Sequence, residues 1–596
     1  MAVVLDEYGI ADGYLGTDDE WHEALPEVVA ELRTLLGPRV EPAPSWFVEQ
    51  GTHHPLWGPC RLLLEDGRDL GVVHELSVDV PLGYHTLCPV DGGPETWLVV
   101  HPARCPEAPR AWGIAVQVAS LRRPDGWGIG DLGDVTDLGN ELAVAGGGVM
   151  LLSPLHAPGP VVPLEDSPYY PSSRRWWSPL LTVPDSDTPQ PPPTADGLID
   201  RNAAWLTRRQ WLGRRFDREH DDPTWRSWAR AQGPSLWHYA TWNALADEFG
   251  VHWRQWPEQY RHPDSPVLQD RPLHDTDFAR RCEFHAFVQW VVAGQLDATS
   301  ARAGVGLIGD LAIGCSSDGA DAWADQDVLA LGVSIGAPPD SFNTAGQSWG
   351  LPPYRADRLR AARYRPFIEM LRAAMHGMAG LRMDHVMGLF RQWWIPDGRA
   401  PTHGAYVQMP SDDLLAILCL EAHRAGCFVV GEDLGTVAPE VTAALARWGI
   451  LGTTVWWFDP DVDKWRTEAL ATITTHDLPT VLGVAEHTDG DEAMQEQLDE
   501  FIARTGATGD AIVDELHRRL LASPAKIRLI SADDLARQHE RPNYPGTTGD
   551  TNPNWRRRLP MTVDELVARV GPVVPRNLSA PDDGRERERG GQPTGC

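Results

Sequence analysis

The chain reads as an α/β protein whose parallel strands, joined by helices, close into a barrel. Three observations predict this. Short apolar runs alternate with longer stretches of helical periodicity, the pattern of parallel strands with helical crossovers. Three of those runs end in an acid: Gly380-Leu-Arg-Met-Asp384-His385, Cys427-Phe-Val-Val-Gly-Glu432-Asp433 and Ala471-Thr-Ile-Thr-Thr-His476-Asp477. The chain has 596 residues, enough for a barrel with insertions and a further small module.

In chain order, Ala11 to Leu36 carries apolar residues at helical spacing and stops at Gly37-Pro38, so a helical segment is expected there. From Ser45 to Pro109 the pattern changes to short strand-like runs, Arg61-Leu-Leu-Leu, Leu76-Ser-Val-Asp-Val and Trp97-Leu-Val-Val, divided by Gly, Pro and Asp. This predicts a β-rich, sandwich-like accessory region within residues 1–109, with no catalytic constellation in it.

Trp112 to Val118 reads as a first barrel strand and Gly148 to Leu152 as a second. The loop Gly126-Trp-Gly-Ile-Gly-Asp131 has the glycines of a phosphate loop but not the spacing GxGxxG. The strand–helix rhythm is then interrupted at about 153–303. The interruption opens with the aromatic, polar loop Ser167-Pro-Tyr169-Tyr170 and a proline-rich connection at Pro184 to Pro193. Several helices rich in Trp, Arg and Ala follow. A helical insertion between strands 2 and 3 accounts for it.

Val305 to Leu311 reads as strand 3. The Gly- and Pro-rich segment Gly336 to Pro352, containing Asp340, Gln347 and Trp349, is expected to be an irregular binding loop. The three acid-terminated runs supply strands 4, 5 and 7, Gly449 to Trp457 strand 6 and Lys526 to Ile530 strand 8. The barrel is expected to span 110–576. From Asn577 to Cys596 the composition is that of a disordered tail.

The net charge of −32 argues against nucleic acid and anionic membranes as partners, and a neutral ligand is indifferent to that field. The chain has no apolar run long enough to span a membrane and no basic-then-apolar start, which predicts a cytoplasmic protein. The eight cysteines are scattered without a CxxC pair, so neither a disulfide framework nor a zinc site is expected. Most of the 26 tryptophans are expected in the core, with some serving as faces for sugar rings.

Acids at the C-terminal ends of several barrel strands are placed for catalysis. Two carboxyl groups across a glycosidic bond, one attacking the sugar and one protonating the leaving oxygen, cleave that bond. An acid after a strand also commonly caps the next helix. Three in one stretch, two with histidine alongside, favour the chemical reading.

The motifs Gly309-Asp310-Leu, Gly336-Ala-Pro-Pro-Asp340, Gly346-Gln-Ser-Trp-Gly350, Arg382-Met-Asp384-His385, Gly431-Glu432-Asp433-Leu-Gly435 and Thr475-His476-Asp477 occur in that order. Ser167-Pro-Tyr169, Asn543-Tyr-Pro-Gly-Thr547 and Pro553-Asn-Trp-Arg-Arg-Arg558 extend the set. Over roughly residues 110–570 the chain resembles the 4-alpha-glucanotransferases (amylomaltases, or disproportionating enzymes), glycoside hydrolase family 77 of the α-amylase clan. The resemblance implies a (β/α)8 TIM barrel and transfer of α-1,4-glucan segments from maltodextrin to glucose or another glucan, with retention through a covalent glucosyl-enzyme. It implies Asp384 as nucleophile, Glu432 as acid and then base, and Asp477 as an unreactive residue that grips sugar hydroxyls. Arg382, His385, His476, Asp340, Trp349, Tyr169, Asp433 and Asn543 are expected to bind substrate, and Arg382 to keep Asp384 ionised. The chemistry needs neither metal nor organic cofactor. A hydrolase of the same clan and a barrel that binds glycan without turnover are the alternatives. The chain departs from the family's pattern at Ser153-Pro-Leu-His156, at Cys315-Ser-Ser-Asp318 and in the region after Trp448.

Overall fold

The computed structural model describes residues 3–574, except 17–19, 125, 187, 191–196, 340–343, 436, 548 and 550. Eight parallel strands form its centre: Ala111–Val116, Val149–Leu152, Gly306–Leu311, Gly380–Met383, Phe428–Gly431, Gly452–Val455, Ala469–Thr472 and Ile527–Ser531. The ladder runs from the fifth back to the first, then through the eighth and seventh to the sixth. It closes between the fifth and sixth strands at one bridge, Val430 with Leu451. Here Leu451 N donates to Val429 O (3.0 Å) and Gly431 N to Leu451 O (2.7 Å). All eight strands predicted from sequence are present.

Strand residues alternate between two environments, as a pleated backbone requires. Val149, Ile308, Val430, Leu451, Leu470, Ile527 and Leu529 share one apolar cluster, while the neighbours Leu307, Leu381, Val429 and Ile530 join the larger core packed under the helices. Phe428 belongs to the first cluster, and Gly380 faces it where a Cβ would come within 2.4 Å of the ring. Only glycine allows this aromatic side chain to fill that space.

The insertion between strands 2 and 3 carries the helices Arg201–Glu219, Pro223–Ala231, Pro234–Phe249, Pro266–His274 and Thr276–Arg302. The last ties the insertion to the barrel. Its early turns pack on Pro234–Phe249, and Thr299 near its end reaches Thr136 of barrel helix Leu132–Val144 (Oγ1–Oγ1 3.3 Å). Trp211, Trp225, Trp242 and Trp256 are fully buried here. Two of the departures from the family pattern have structural partners. His156 is enclosed, accepts from Ala312 N at 3.3 Å, and is pushed down by burial to a pKa of about 3, which keeps it neutral. Asp318 is bound by His252 (2.8 Å) and Arg254 (2.9 Å) of the insertion.

The segment expected to be an irregular loop forms a hairpin. Val333–Ala337 pairs antiparallel with Gln347–Leu351, and Arg391–Pro396 and Ala405–Gln408 complete a four-stranded sheet. Its glycines permit close approach instead of breaking the strand. A Cβ on Gly336 would lie 2.0 Å from the Gln347 carbonyl, and Gly346 and Gly350 both have φ of 70°. Asp340 lies outside the described residues.

The N-terminal expectation needs two corrections. Helix forms only over Pro26–Leu36, because Pro26 suits a first helical turn and no interior position. Before it, Gly13–Leu15 pairs with Trp21–Glu23. The β-rich region is one five-stranded sheet, not two facing ones. The long strand His54–Leu63 has irregular pairing between Pro55 and Cys60, and again between Arg61 and Leu63. Such bulges bend a sheet, and this one curls around its own core of Val48, Leu62, Leu76, Leu87, Leu98 and Val100. Alternate residues Phe47, Trp97 and Val99 belong instead to the main core. Residues 577–596, expected to be disordered, lie outside the described residues. Among the described residues, no helix is long and apolar enough to cross a membrane.

Candidate active site

Asp384 follows the fourth strand, with its N–H fixed to Leu311 O at 3.0 Å. Two residues earlier, Arg382 is paired in register with Asp310 on the third strand. Arg382 Nη1 donates to Asp310 Oδ1 (2.7 Å) and Oδ2 (2.9 Å), and more distantly to Asp384 Oδ1 (3.4 Å). Burial raises the proton affinity of both Asp384 and Asp310 above the ordinary carboxylate range; the charge of Glu432 adds to the shift of Asp384, and that of Asp384 to the shift of Asp310. The Arg382 charge opposes this without cancelling it. Arg382, expected to keep Asp384 ionised, is shared between the two carboxylates, and its shorter bonds go to Asp310.

Tyr169, from the loop after strand 2, donates its hydroxyl to Asp310 Oδ2 at 2.6 Å. Its ring stacks on His476 with centroids 4.6 Å apart. Trp555 lies against both rings, at 5.4 Å and 5.2 Å. Burial and the adjacent Asp310 charge push the Tyr169 phenol up, so it remains a donor.

Glu432 follows the fifth strand and is held by backbone donors. His385 N–H reaches Oε2 and Leu434 N–H reaches Oε1, both at 2.9 Å. His385 adopts left-handed backbone angles (φ 46°), which turns its N–H towards the glutamate. Trp349 of the hairpin meets the His385 ring edge-on, with centroids 5.4 Å apart.

Asp477, after the seventh strand, is 46% exposed, as a group awaiting a polar ligand would be. Asn543 Nδ2 donates to its Oδ1 at 2.7 Å, and His476 Nε2 lies 3.5 Å from Oδ2. Asn543 N–H also bonds His476 O at 3.1 Å, fixing this loop to the strand end.

These contacts draw together Asp384, Glu432, Asp477, Arg382, His385, His476, Tyr169, Trp349 and Asn543. Asp433 is different. Its carboxylate is 3% exposed and forms a double ion pair with Arg466 (2.8 and 2.7 Å) and accepts from Thr453 N (2.7 Å). No free face remains for a sugar, so its role is to join the ends of strands 5 and 6 to the segment before strand 7. Two residues of the centre, Asp310 and Trp555, stood in the quoted motifs without being assigned a site role. Asp310 carried a signal, since an arginine in a buried strand needs a counter-ion, but its position depends on the register between strands 3 and 4. Among the described residues, no group of three or more His, Cys, Asp or Glu side chains is arranged to hold a metal ion.

An acidic pair flanked by aromatic faces and donors, at the C-terminal mouth of a parallel barrel, has the parts for cleaving and remaking a glycosidic bond. Comparison with known proteins agrees with it. The family profile described as 4-alpha-glucanotransferase matches residues 116–562. The 4-alpha-glucanotransferase of Mycobacterium tuberculosis is 38% identical over 574 residues, covering 83% of this chain and 78% of the relative. That of Haemophilus influenzae is 35% identical over 423 residues, 63% of this chain and 60% of the relative. The crystal structure of amylomaltase from Corynebacterium glutamicum superposes with a TM-score of 0.80 at 26% identity, over 95% of this chain and 97% of that one. The amylomaltase of Streptococcus agalactiae in complex with acarbose shares the fold, with a TM-score of 0.66 at 19% identity over 78% of this chain and 99% of that one. With the family profile covering most of its length, this chain belongs to the 4-alpha-glucanotransferases of glycoside hydrolase family 77.

Proposed function

We propose that the chain transfers α-1,4-glucan segments by double displacement, with Asp384 as nucleophile and Glu432 as acid and base. Family membership makes it a glycosyltransferase of α-1,4-glucans; the residue roles are our reading. The observation that carries them is the His385 peptide. His385 directly follows Asp384, and its N–H is bonded to Glu432 Oε2. One peptide thereby sets the attacking and proton-donating carboxyl groups relative to each other.

Asp384 attacks the anomeric carbon as the bond to the leaving 4-oxygen breaks, and Glu432 gives that oxygen its proton. The acceptor's 4-hydroxyl then returns a proton to Glu432 as its oxygen displaces Asp384, restoring the α-linkage. Arg382 balances the charge on Asp384 as it leaves. Asp477, held by Asn543, grips hydroxyls of the sugar whose bond is broken, and Tyr169 supplies a stacking face for it. Trp349 lines the acceptor side. Glucose and maltodextrins are the proposed acceptors, and the cytoplasm the proposed site of action. The seven described cysteines are all unpaired, in keeping with a reducing compartment.

The test is a product profile from maltotriose, with Asp384→Asn in parallel. Glucose with a ladder of longer maltooligosaccharides, absent from the variant, is the expected result. Glucose and maltose without longer products would make the chain a hydrolase. No products from folded protein would leave a glycan-binding barrel.

A further inference from the structure

Trp57 stands 61% exposed on the N-terminal sheet, and no other tryptophan among the described residues is exposed to that degree. It belongs to none of the apolar clusters, so the module's core is complete without it. Single exposed apolar residues are ordinary on protein surfaces, but Trp57 is not single. The Trp46 ring lies 5.8 Å away with the two planes at 55°. His54 stands edge-on to Trp46 at 5.4 Å. The two indoles stand on consecutive strands, Ser45–Glu49 and His54–Leu63, and Trp57 lies where the pairing of the second is irregular. Hydrogen-bonding groups surround the pair. His53 and Glu75 form an exposed pair at 2.9 Å, Thr52 Oγ1 lies 2.7 Å from His54 Nε2, and Asp91 Oδ2 lies beside Gly58.

We infer that this aromatic pair is a second binding site for α-1,4-glucan, separate from the catalytic mouth. It takes a linear stretch of polymer by stacking neighbouring glucose rings on the two indoles. A glucose ring offers C–H-rich faces within a rim of hydroxyls, and an indole with polar groups at its edge matches both. The 55° angle makes a bent platform, which suits an α-1,4 chain that curves from ring to ring. The net charge of −32 favours a neutral ligand over an anionic one.

The module is anchored firmly enough for capture to matter. Trp97 stacks with Tyr84 (5.4 Å) on one side and Tyr364 of the barrel (6.1 Å) on the other. The Tyr84 hydroxyl donates to Glu421 at 2.7 Å, and Arg372 and Arg424 hold the same carboxylate. A polymer held on the module is tethered to the catalytic barrel, which raises its local concentration there. The choice of ligand rests on the glucan reading of the catalytic site.

The test uses the full chain in native gels with and without amylopectin. Asp384→Asn is placed in the background so that the polymer is not consumed, and Trp57→Ala is compared with Trp57→Phe. Steady-state kinetics on amylose and on maltotriose are measured in the active background. Trp57→Ala is expected to weaken retardation by amylopectin and raise KM for amylose, each about fivefold. KM for maltotriose and kcat stay as they were, and Trp57→Phe recovers most of the binding. Retardation and amylose KM unchanged in Trp57→Ala, with maltotriose still turned over, would overturn the second site and leave the catalytic reading intact. Phenylalanine behaving like alanine would also overturn it, since stacking would not be the basis. Retardation that depends on Trp57 in a chain that turns over no maltotriose would keep the second site and remove the catalytic reading.

Discussion

Arg382 makes its two short contacts to Asp310, at 2.7 and 2.9 Å, and reaches Asp384 only at 3.4 Å. Asp310 therefore decides where the guanidinium sits and how much of its charge Asp384, the proposed nucleophile, feels. Asp310→Asn keeps an acceptor for Tyr169 but removes the competing charge. Arg382 then turns towards Asp384, and kcat/KM falls about 100-fold because the geometry is disturbed. The acid limb of the pH profile moves down as the neighbouring negative charge disappears. A variant with lower activity but an unmoved limb would make Asp310 a packing residue only.

The pH dependence of the native enzyme follows from the same cluster. Burial raises the Asp384 proton affinity, so the reactive carboxylate is lost as pH falls through a value above the ordinary carboxylate pKa. The acid limb of kcat/KM is expected above about pH 4, the usual range for aspartate. Initial rates on maltotriose across pH check this. A limb at or below that range would mean that the Arg382 charge outweighs burial.

Asp433 is expected to matter for stability more than for chemistry. Arg466→Ala leaves an enclosed carboxylate without its double partner, at a cost of about 2 kcal/mol after allowance for the exposed half of the pair. Thermal melting should drop by several degrees while kcat of the folded fraction changes little. A large loss of kcat with unchanged melting would return Asp433 to the sugar groove.

Trp349 touches His385 from the hairpin and covers the acceptor side in our reading. Trp349→Ala opens that side to water, so hydrolysis gains on transfer. The ratio of free glucose to longer products from maltotriose should rise about tenfold, and the wild-type ratio would show that water is excluded elsewhere.

The barrel was legible because its strands are enclosed on both faces, which writes most of them as short, mainly apolar runs, with charged side chains such as Arg382 and Arg528 the exceptions. The Gly336–Pro352 hairpin was misread because glycine signals both chain breaks and close strand approach, and only the partner strand shows which. Pro26 marked a true helix start, yet the residues before it have spacing that suits either a helix or the hairpin that forms. The reactive acids could be found from local motifs. The partners of Asp433 and Arg382 could not, because Arg466 and Asp310 are 33 and 72 residues away and become neighbours only through strand register.

The barrel closes at a single bridge between Val430 and Leu451, and Glu432 and Asp433 stand immediately beyond that joint. The Asp433 clamp to Thr453 and Arg466 spans it. The other seven junctions each hold three to five paired residues, so this seam relies on a side-chain clamp where the rest of the barrel relies on the backbone ladder. The weakest seam of the barrel thus lies directly beneath Glu432, and loosening the clamp is felt there first.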